Sequence, residues 1–213
     1  MCRLADEEKL SLLSIARKSI EVALTRSAAA PTNLPSGNLA ALRGAFVTLH
    51  HRGRLHGCIG RVMTLDPLAA VVVECAASAA TQDPRFAPLR PQDLQETEIE
   101  ISVLSEPRQV ATPEEIEPGI HGLLITRGRN RGILLPQVAQ KYKWSREHLL
   151  EQTCRKAGLR PDDWKNPETH IEVFTAEIFS EADFPALCAP AEENAAENKI
   201  PADSSQSAAG RRQ

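Results

Sequence analysis

Two stretches constrain the fold of this chain more than any others: GAFVTLHHRGRLHGCIGRV at 44–62 and IHGLLITRGRNRGILLPQV at 120–138. Each reads as two apolar strands joined by a short basic turn with glycine, the pattern of a β-hairpin. The turns are expected near Arg52–Gly53 and around Gly128–Asn130. Tight turns force antiparallel pairing, since parallel strands need a long crossover. Helical patterns surround the hairpins. DEEKLSLLSIARKSIEVALTR sets Leu10, Leu13, Ile20 and Leu24 at helical spacing behind Asp6 as N-cap. SAAAPTNLPSGN at 27–38 is a loop. DPLAAVVVECAASAATQ has Asp66 to cap and Pro67 at the first helical position, and is apolar nearly all round, so it belongs at the centre. SREHLLEQTCRKAGL is a helix capped by Ser145 and ended by Gly158. TPEE spaces Thr112 and Glu115 as a capping box, a helix start. TEIEISVL alternates, with Ile99, Ile101 and Val103 on one face and Glu98, Glu100 and Ser102 on the other. THIEVFTAEIF reads as one last strand. No βαβ unit repeats, so the expected class is α+β, an antiparallel sheet flanked by helices.

Of 213 residues, 42% are hydrophobic and 25% charged, a balance that supports a buried core. From Ala189 onward the chain has no aromatics and Ile200 as its single large apolar residue. We therefore expect a folded domain over 1–185 and a disordered tail over 186–213. A net charge of −3 argues against general nucleic-acid binding, which requires a basic surface. No run approaches the roughly 18 apolar residues of a membrane span. The charged N-terminus lacks the apolar core of a secretory signal, so a cytoplasmic location is expected. The five cysteines (Cys2, Cys58, Cys75, Cys154 and Cys188) are odd in number and unpaired in spacing, unlike a disulfide framework or a structural zinc site.

The chemistry concentrates at LHGCIG, 55–60. In a regular strand His56 and Cys58 share one face, while Leu55 and Ile59 turn toward the core. Two residues along a strand span roughly 6.5–7 Å, long for a direct Cys–His hydrogen bond unless the strand bends. Gly57 and Gly60 permit a bulge, or the close approach of a ligand or another backbone. Cys58 is then either a small buried hydrophobe or a nucleophile activated by a base or cation. His56, His121 and Arg85 are the candidates for that neighbour. His121, in GIHGLL, is either a structural hydrogen-bonder or a base. Asp83 in QDPRF suits a turn, and Arg85 either pairs with a carboxylate or holds an anion through its planar fork. Glu98 reads as solvated, whereas Glu100, facing a pocket, would orient a histidine or hold Arg85. Gln137, in LLPQV, offers an amide donor to an oxyanion. A metal site from His50, His56 and Cys58 matches no standard zinc spacing. No resident cofactor is expected, since nucleotide, hydrolase and zincin motifs are absent.

GAFVTL, LHGCIG, DPRFAPL, EIEISVLSEP, HGLLI, RGILLPQV and QTCRKAGL, in that order, resemble the AMMECR-type domain, the A component of the AmmeMemoRadiSam system. The likeness runs from about residue 5 to 182. It implies two unequal subdomains with a cleft between them, and two partners, a Memo-type protein and a radical SAM protein. Its cysteine motif implies an enzyme, although the family has no established reaction. Carried across, the motif falls on Gly57, Cys58, Ile59 and Gly60, on Asp83, Pro84, Arg85 and Phe86, on Glu100, on His121 and Gly122, and on Pro136 and Gln137. The usual LRGCIG places arginine where this chain has His56, and Thr81 and Gln82 replace a bulkier and a basic residue. The expectation is a cysteine-dependent hydrolase or group-transfer enzyme acting on a small molecule. Cys58, His121 and Glu100 would be catalytic, with His56, Gly57, Gly60, Arg85 and Gln137 binding substrate. The alternative is a non-catalytic module that binds a metabolite or a partner.

Overall fold

The computed structural model describes residues 3–26 and 37–185; Cys2, Cys188, most of the 27–38 loop and the expected tail at 186–213 lie outside them. The elements in chain order begin with α1 (Asp6–Thr25), β1 (Ala45–His51), β2 (Arg54–Arg61), α2 (Leu68–Thr81), β3 (Thr97–Leu104) and β4 (Arg108–Gln109). They continue with β5 (Gly122–Arg127), β6 (Asn130–Leu134), α3 (Pro136–Tyr142), α4 (Arg146–Lys156), β7 (His170–Phe174) and β8 (Ala176–Ser180). Both hairpins form. Arg52 and Gly53 take φ of 49° and 71°, the left-handed pair that a tight turn with native twist requires.

The strands make two antiparallel sheets, β2-β1-β3-β8 and β4-β7-β5-β6. THIEVFTAEIF is therefore two strands, not one: β7 belongs to the second sheet and β8 to the first, with Thr175 between them. Alternation alone cannot reveal this, because the change of sheet leaves each half strand-like. Helices α1 and α2 cover one face of the first sheet, burying Leu12, Leu13, Ile20, Leu68 and Val72 against Val47, Leu49, Ile99 and Ile101. In the smaller subdomain α4 covers the second sheet, with Leu149, Leu150 and Cys154 against Leu123, Ile125 and Val173. Leu104, Leu124 and Phe174, with Phe46 and Ile133 beside them, join the two sheets. This explains the unbroken apolar run of β5, which is buried on both faces.

Smaller departures have local causes. Asp6 is the first residue of α1 rather than its cap; extended Ala5 is the cap, and its N–H donates to Glu8 Oε2 at 2.9 Å. The capping box at Thr112 starts only a three-residue 3-10 turn, Pro113–Glu115. The helix α3 was not expected; Pro136 opens it at a position where the missing N–H costs nothing. Ser145 caps α4 as expected, accepting from the His148 N–H at 3.2 Å.

A buried ion pair locks the turn after β8 to α1. Glu181, 2% exposed, accepts from Arg17 Nε at 2.6 Å and from the Ile99 N–H at 3.0 Å. It takes over the strand edge of β3 just where β8 stops. Replacing Glu181 with alanine strips both donors of this acceptor, and should destabilise the protein by about 3 kcal/mol in urea denaturation at pH 7.

Candidate functional site

Gly57 lies on the helix-facing side of β2, where a Cβ would stand 2.2 Å from the Ala79 carbonyl oxygen of α2. Gly60 lies on the other side, where a Cβ would stand 2.2 Å from the Phe46 ring. The close approaches that the two glycines permit are thus made by the protein itself, rather than by a ligand. Because α2 presses this tightly on β2, the chain leaving it at Thr81 passes along the open edge of the sheet. There the Cys58 N–H donates to Asp83 Oδ2 at 2.9 Å, and Arg85 Nη2 donates to the Cys58 carbonyl at 3.2 Å. Arg85 also grips Asp83 with both ends of its fork, Nε–Oδ1 at 2.9 Å and Nη2–Oδ2 at 2.6 Å. The adjacent Arg85 guanidinium holds the Asp83 carboxyl far below the usual carboxylate range.

With both backbone groups of Cys58 turned to that edge, its pairing with Thr48 on β1 is of the non-hydrogen-bonded kind, in which side chains come closest. Thr48 Oγ1 donates to Cys58 Sγ at 3.4 Å. Glu100 on β3 pairs with Thr48 on its other side, and Ser180 on β8 pairs with Glu100. Cys58, Thr48, Glu100 and Ser180 therefore form one cross-strand row on the face turned away from α1 and α2. Adjacent Cα spacings of about 4.5 and 5.5 Å put Cys58 and Glu100 about 10 Å apart. Burial pushes the Glu100 carboxyl up, opposed by nearby His50. From the smaller subdomain Gln137 reaches across to this face, its Nε2 donating to Ser102 Oγ at 3.2 Å while its Oε1 is buried without a partner.

His56 occupies the one irregularity in the hairpin. The register runs Leu49↔Gly57 and then His50↔Leu55, leaving His56 as the extra residue of a bulge. The slip turns Leu55 off the core, contrary to expectation, and leaves it 44% exposed. The His56 ring stacks on Phe86 with centroids 5.9 Å apart and meets His51 edge-on at 5.9 Å. Among the described residues no hydrogen bond joins His56 to Cys58. His121 is held within its own turn, where its Nδ1 accepts from the Glu117 N–H at 3.1 Å. That bond requires an unprotonated Nδ1, so Nε2 carries the proton and His121 is suited to donate a hydrogen bond rather than to abstract a proton. Among the described residues no hydrogen bond joins His121 to Cys58.

One neighbour of Cys58 escaped the sequence reading. Thr48 did so because counting back from the turn pairs it with Gly57; the bulge moves the pairing on to Cys58. The other described thiols are of a different kind. Burial raises Cys75 and Cys154 to about 11 each, which keeps them protonated and inert. Cys58 is partly open to solvent. Among the described residues no three His, Cys, Asp or Glu side chains converge as metal ligands, and no helix is long and apolar enough to cross a membrane. A separate cavity of about 650 Å³ lies between Arg61–Asp66 and β6, but it has no thiol, and Arg61 there is paired with Asp66.

Two outcomes are expected at this site. Gly57→Ala should destabilise the fold by about 3 kcal/mol, because the intruding methyl meets backbone rather than a movable side chain. Asp83→Asn should lower stability at pH 7 by about 2 kcal/mol. A depressed carboxyl stabilises above its unfolded value and loses that contribution as pH falls below it. The gap between wild type and D83N should therefore close below about pH 4, as read by thermal unfolding across pH.

Known proteins share the fold and much of the sequence. The family model described as AMMECR1 matches residues 13–179. A protein of Methanothermobacter thermautotrophicus is 43% identical over 186 residues, spanning 84% of this chain and 96% of the relative. A protein of Methanopyrus kandleri is 42% identical over 188 residues, 84% of this chain and 91% of the relative. The crystal structure of an uncharacterized protein from Pyrococcus horikoshii aligns with a TM-score of 0.77 at 34% identity, covering 83% of this chain and 93% of that one. With the match extending from α1 to β8, the chain belongs to the AMMECR1 family.

Proposed function

We propose that the row beginning at Cys58 is the centre of a cysteine-dependent hydrolase or group-transfer enzyme. The observation that carries this reading is the setting of Cys58. Its peptide is fixed at N–H and carbonyl by Asp83 and Arg85, while its sulfur stands partly open beside Thr48 and in line with Glu100. In this reading the sulfur bonds to an electrophilic acyl carbon as the bond to the leaving group breaks. Glu100 accepts the thiol proton through the Thr48 hydroxyl, which turns to accept from the thiol and donate to the carboxylate, and returns it to the leaving group. Water or a second acceptor then displaces the sulfur and restores the thiol. A buried carboxyl whose proton affinity is raised suits both steps. His121 acts as a donor from Nε2, Gln137 as an amide donor to the oxyanion, and Arg85 and His56 bound the substrate space. Gly57 and Gly60 shape that space by holding α2 and Phe46 in place. The protein works with a Memo-type protein and a radical SAM protein in the cytoplasm.

One observation favours the non-catalytic alternative. The hydrogen-bond partner of the sulfur is a threonine, not a base. In that case Cys58 fills space in a binding cleft, and Cys58→Ser keeps the affinity for a purified Memo-type partner and the cellular role. In an enzyme, Cys58→Ser abolishes function with the fold intact.

Alkylation with iodoacetamide between pH 5 and 9 tests the reactive thiol. Cys58 should react at least about tenfold faster than Cys2 or Cys188 and vary with pH; a flat, undistinguished rate refutes the proposal. Glu100→Gln should remove the pH dependence contributed by that carboxyl. It should also raise the melting temperature at pH 7. A carboxyl raised on folding loses stability as pH rises through its folded value, so the gain from E100Q disappears below about pH 4.

A further inference from the structure

We propose that the open edge of β6 is a docking site for an extended segment of a partner protein, added as a further strand, with a carboxylate opposite Arg131 and an apolar side chain opposite Ile133. This surface belongs to the second sheet and is independent of the chemistry at Cys58.

β6 is the last strand of its sheet and is paired on one side only, with β5. Gly128, at φ 58°, and Arg129 make the two-residue turn between them. Such a hairpin is closed by a pair that exchanges both of its hydrogen bonds, here Arg127 and Asn130, and bonded pairs then alternate along the ladder. Ile125↔Gly132 and Leu123↔Leu134 are therefore the bonded pairs, and the N–H and carbonyl groups of Arg131 and Ile133 point out of the sheet. The far side of β5 agrees with this phase. Ile171 of β7 turns its carbonyl away from β5, to the Val110 N–H at 3.1 Å, so Leu124 and Thr126 bond to β7 and Ile125 is left for β6. Among the described residues nothing bonds to the four outward groups of Arg131 and Ile133. β6 has no bulge and no proline, so its edge is a template for another strand.

The face beside this edge is only partly covered. Arg131 and Ile133, two residues apart, project to the same side of the sheet. Across a cavity of about 650 Å³ from them stand Val62, Met63 and Leu65, on the loop after β2. Met63 is 64% and Leu65 91% exposed, two large apolar side chains offered to solvent around one cavity. Arg131 Nη2 donates to the Met63 sulfur at 3.1 Å, a weak acceptor, and among the described residues Arg131 forms no ion pair. Arg61, the other arginine of this cavity, is held by Asp66. Charge complementarity therefore selects a carboxylate beside Arg131, and the apolar wall selects leucine, isoleucine or valine beside Ile133. The edge bonds supply affinity for any extended chain, and these two positions supply the choice among chains.

Amide hydrogen exchange of the full chain, followed by NMR, tests this with three short peptides. One alternates threonine with glutamate and leucine, one has lysine in place of glutamate, and one is the first peptide N-methylated throughout. The glutamate peptide should bind saturably and slow exchange at the Arg131 and Ile133 amides by at least about tenfold. The N-methylated peptide has no backbone donors and should protect neither amide. The lysine peptide should bind about fivefold more weakly than the glutamate peptide. Arg131→Glu lies at an exposed position, should unfold at the wild-type temperature, and should reverse that preference. Protection of both amides in the free chain overturns the proposal, because the chain then covers its own edge. So does the absence of saturable binding at millimolar peptide, protection confined to other amides, or an R131E variant with the wild-type preference.

Discussion

The first sheet can be closed at its edge only because Gly57 lets the Ala79 carbonyl press against β2. Any side chain there would push α2 outward by more than an ångström, and the loop that follows would miss the strand. Asp83 would then fail to reach the Cys58 N–H, leaving an edge strand with unpaired backbone groups. One contact between a glycine and a helix carbonyl thereby determines whether the thiol sits on a fixed or a loose peptide. The bidentate Asp83–Arg85 pair is the second half of the same device. Asp83 satisfies the donor of Cys58 and Arg85 its acceptor, so an ion pair replaces a missing neighbouring strand.

The cleft has its own cause in the way the two sheets are joined. The chain passes from the first sheet to the second after β3 and returns between β7 and β8, and the two passages touch. Ser105 N donates to the Thr175 carbonyl at 2.9 Å, and Thr175 N donates to Ser105 Oγ at 3.0 Å. The sheets are therefore tied at one end, where Phe46, Leu104 and Phe174 fill the space between them. Further along the same face Ser102 is still covered, by Gln137, but Glu100 and Cys58 have only partial cover. An apolar joint at one end and polar residues at the other is the expected division between a packed core and a binding surface.

Much of this was legible in the sequence. Both hairpins and their turns, the central apolar α2, the Ser145 cap and the α+β class follow from periodicity and turn chemistry. The grouping of Cys58, Asp83, Arg85 and Glu100 came from motif resemblance, since no local pattern shows that DPRF, 25 residues downstream, lies on the carbonyl and N–H of Cys58. What escaped were features determined by tertiary pairing. The bulge at His56 changes which residue faces Cys58, and nothing in LHGCIG fixes where the extra residue goes. The change of sheet at Thr175 interrupts no alternation.

The histidine at 56, where the family pattern usually has arginine, can be understood on the same geometry. The residue at the bulge is directed at the Phe86 ring, 26° from parallel, and Arg85 lies over that ring with its Cζ 5.3 Å from the centroid. An arginine at this position would present a planar guanidinium, which stacks on an aromatic face much as an imidazole does. Stacking on Phe86 therefore survives the exchange, while the permanent charge does not. A second guanidinium would add a permanent charge beside the Phe86 ring that Arg85 already overlies; a histidine adds no permanent charge there, at the cost of a buried Nε2 without a partner.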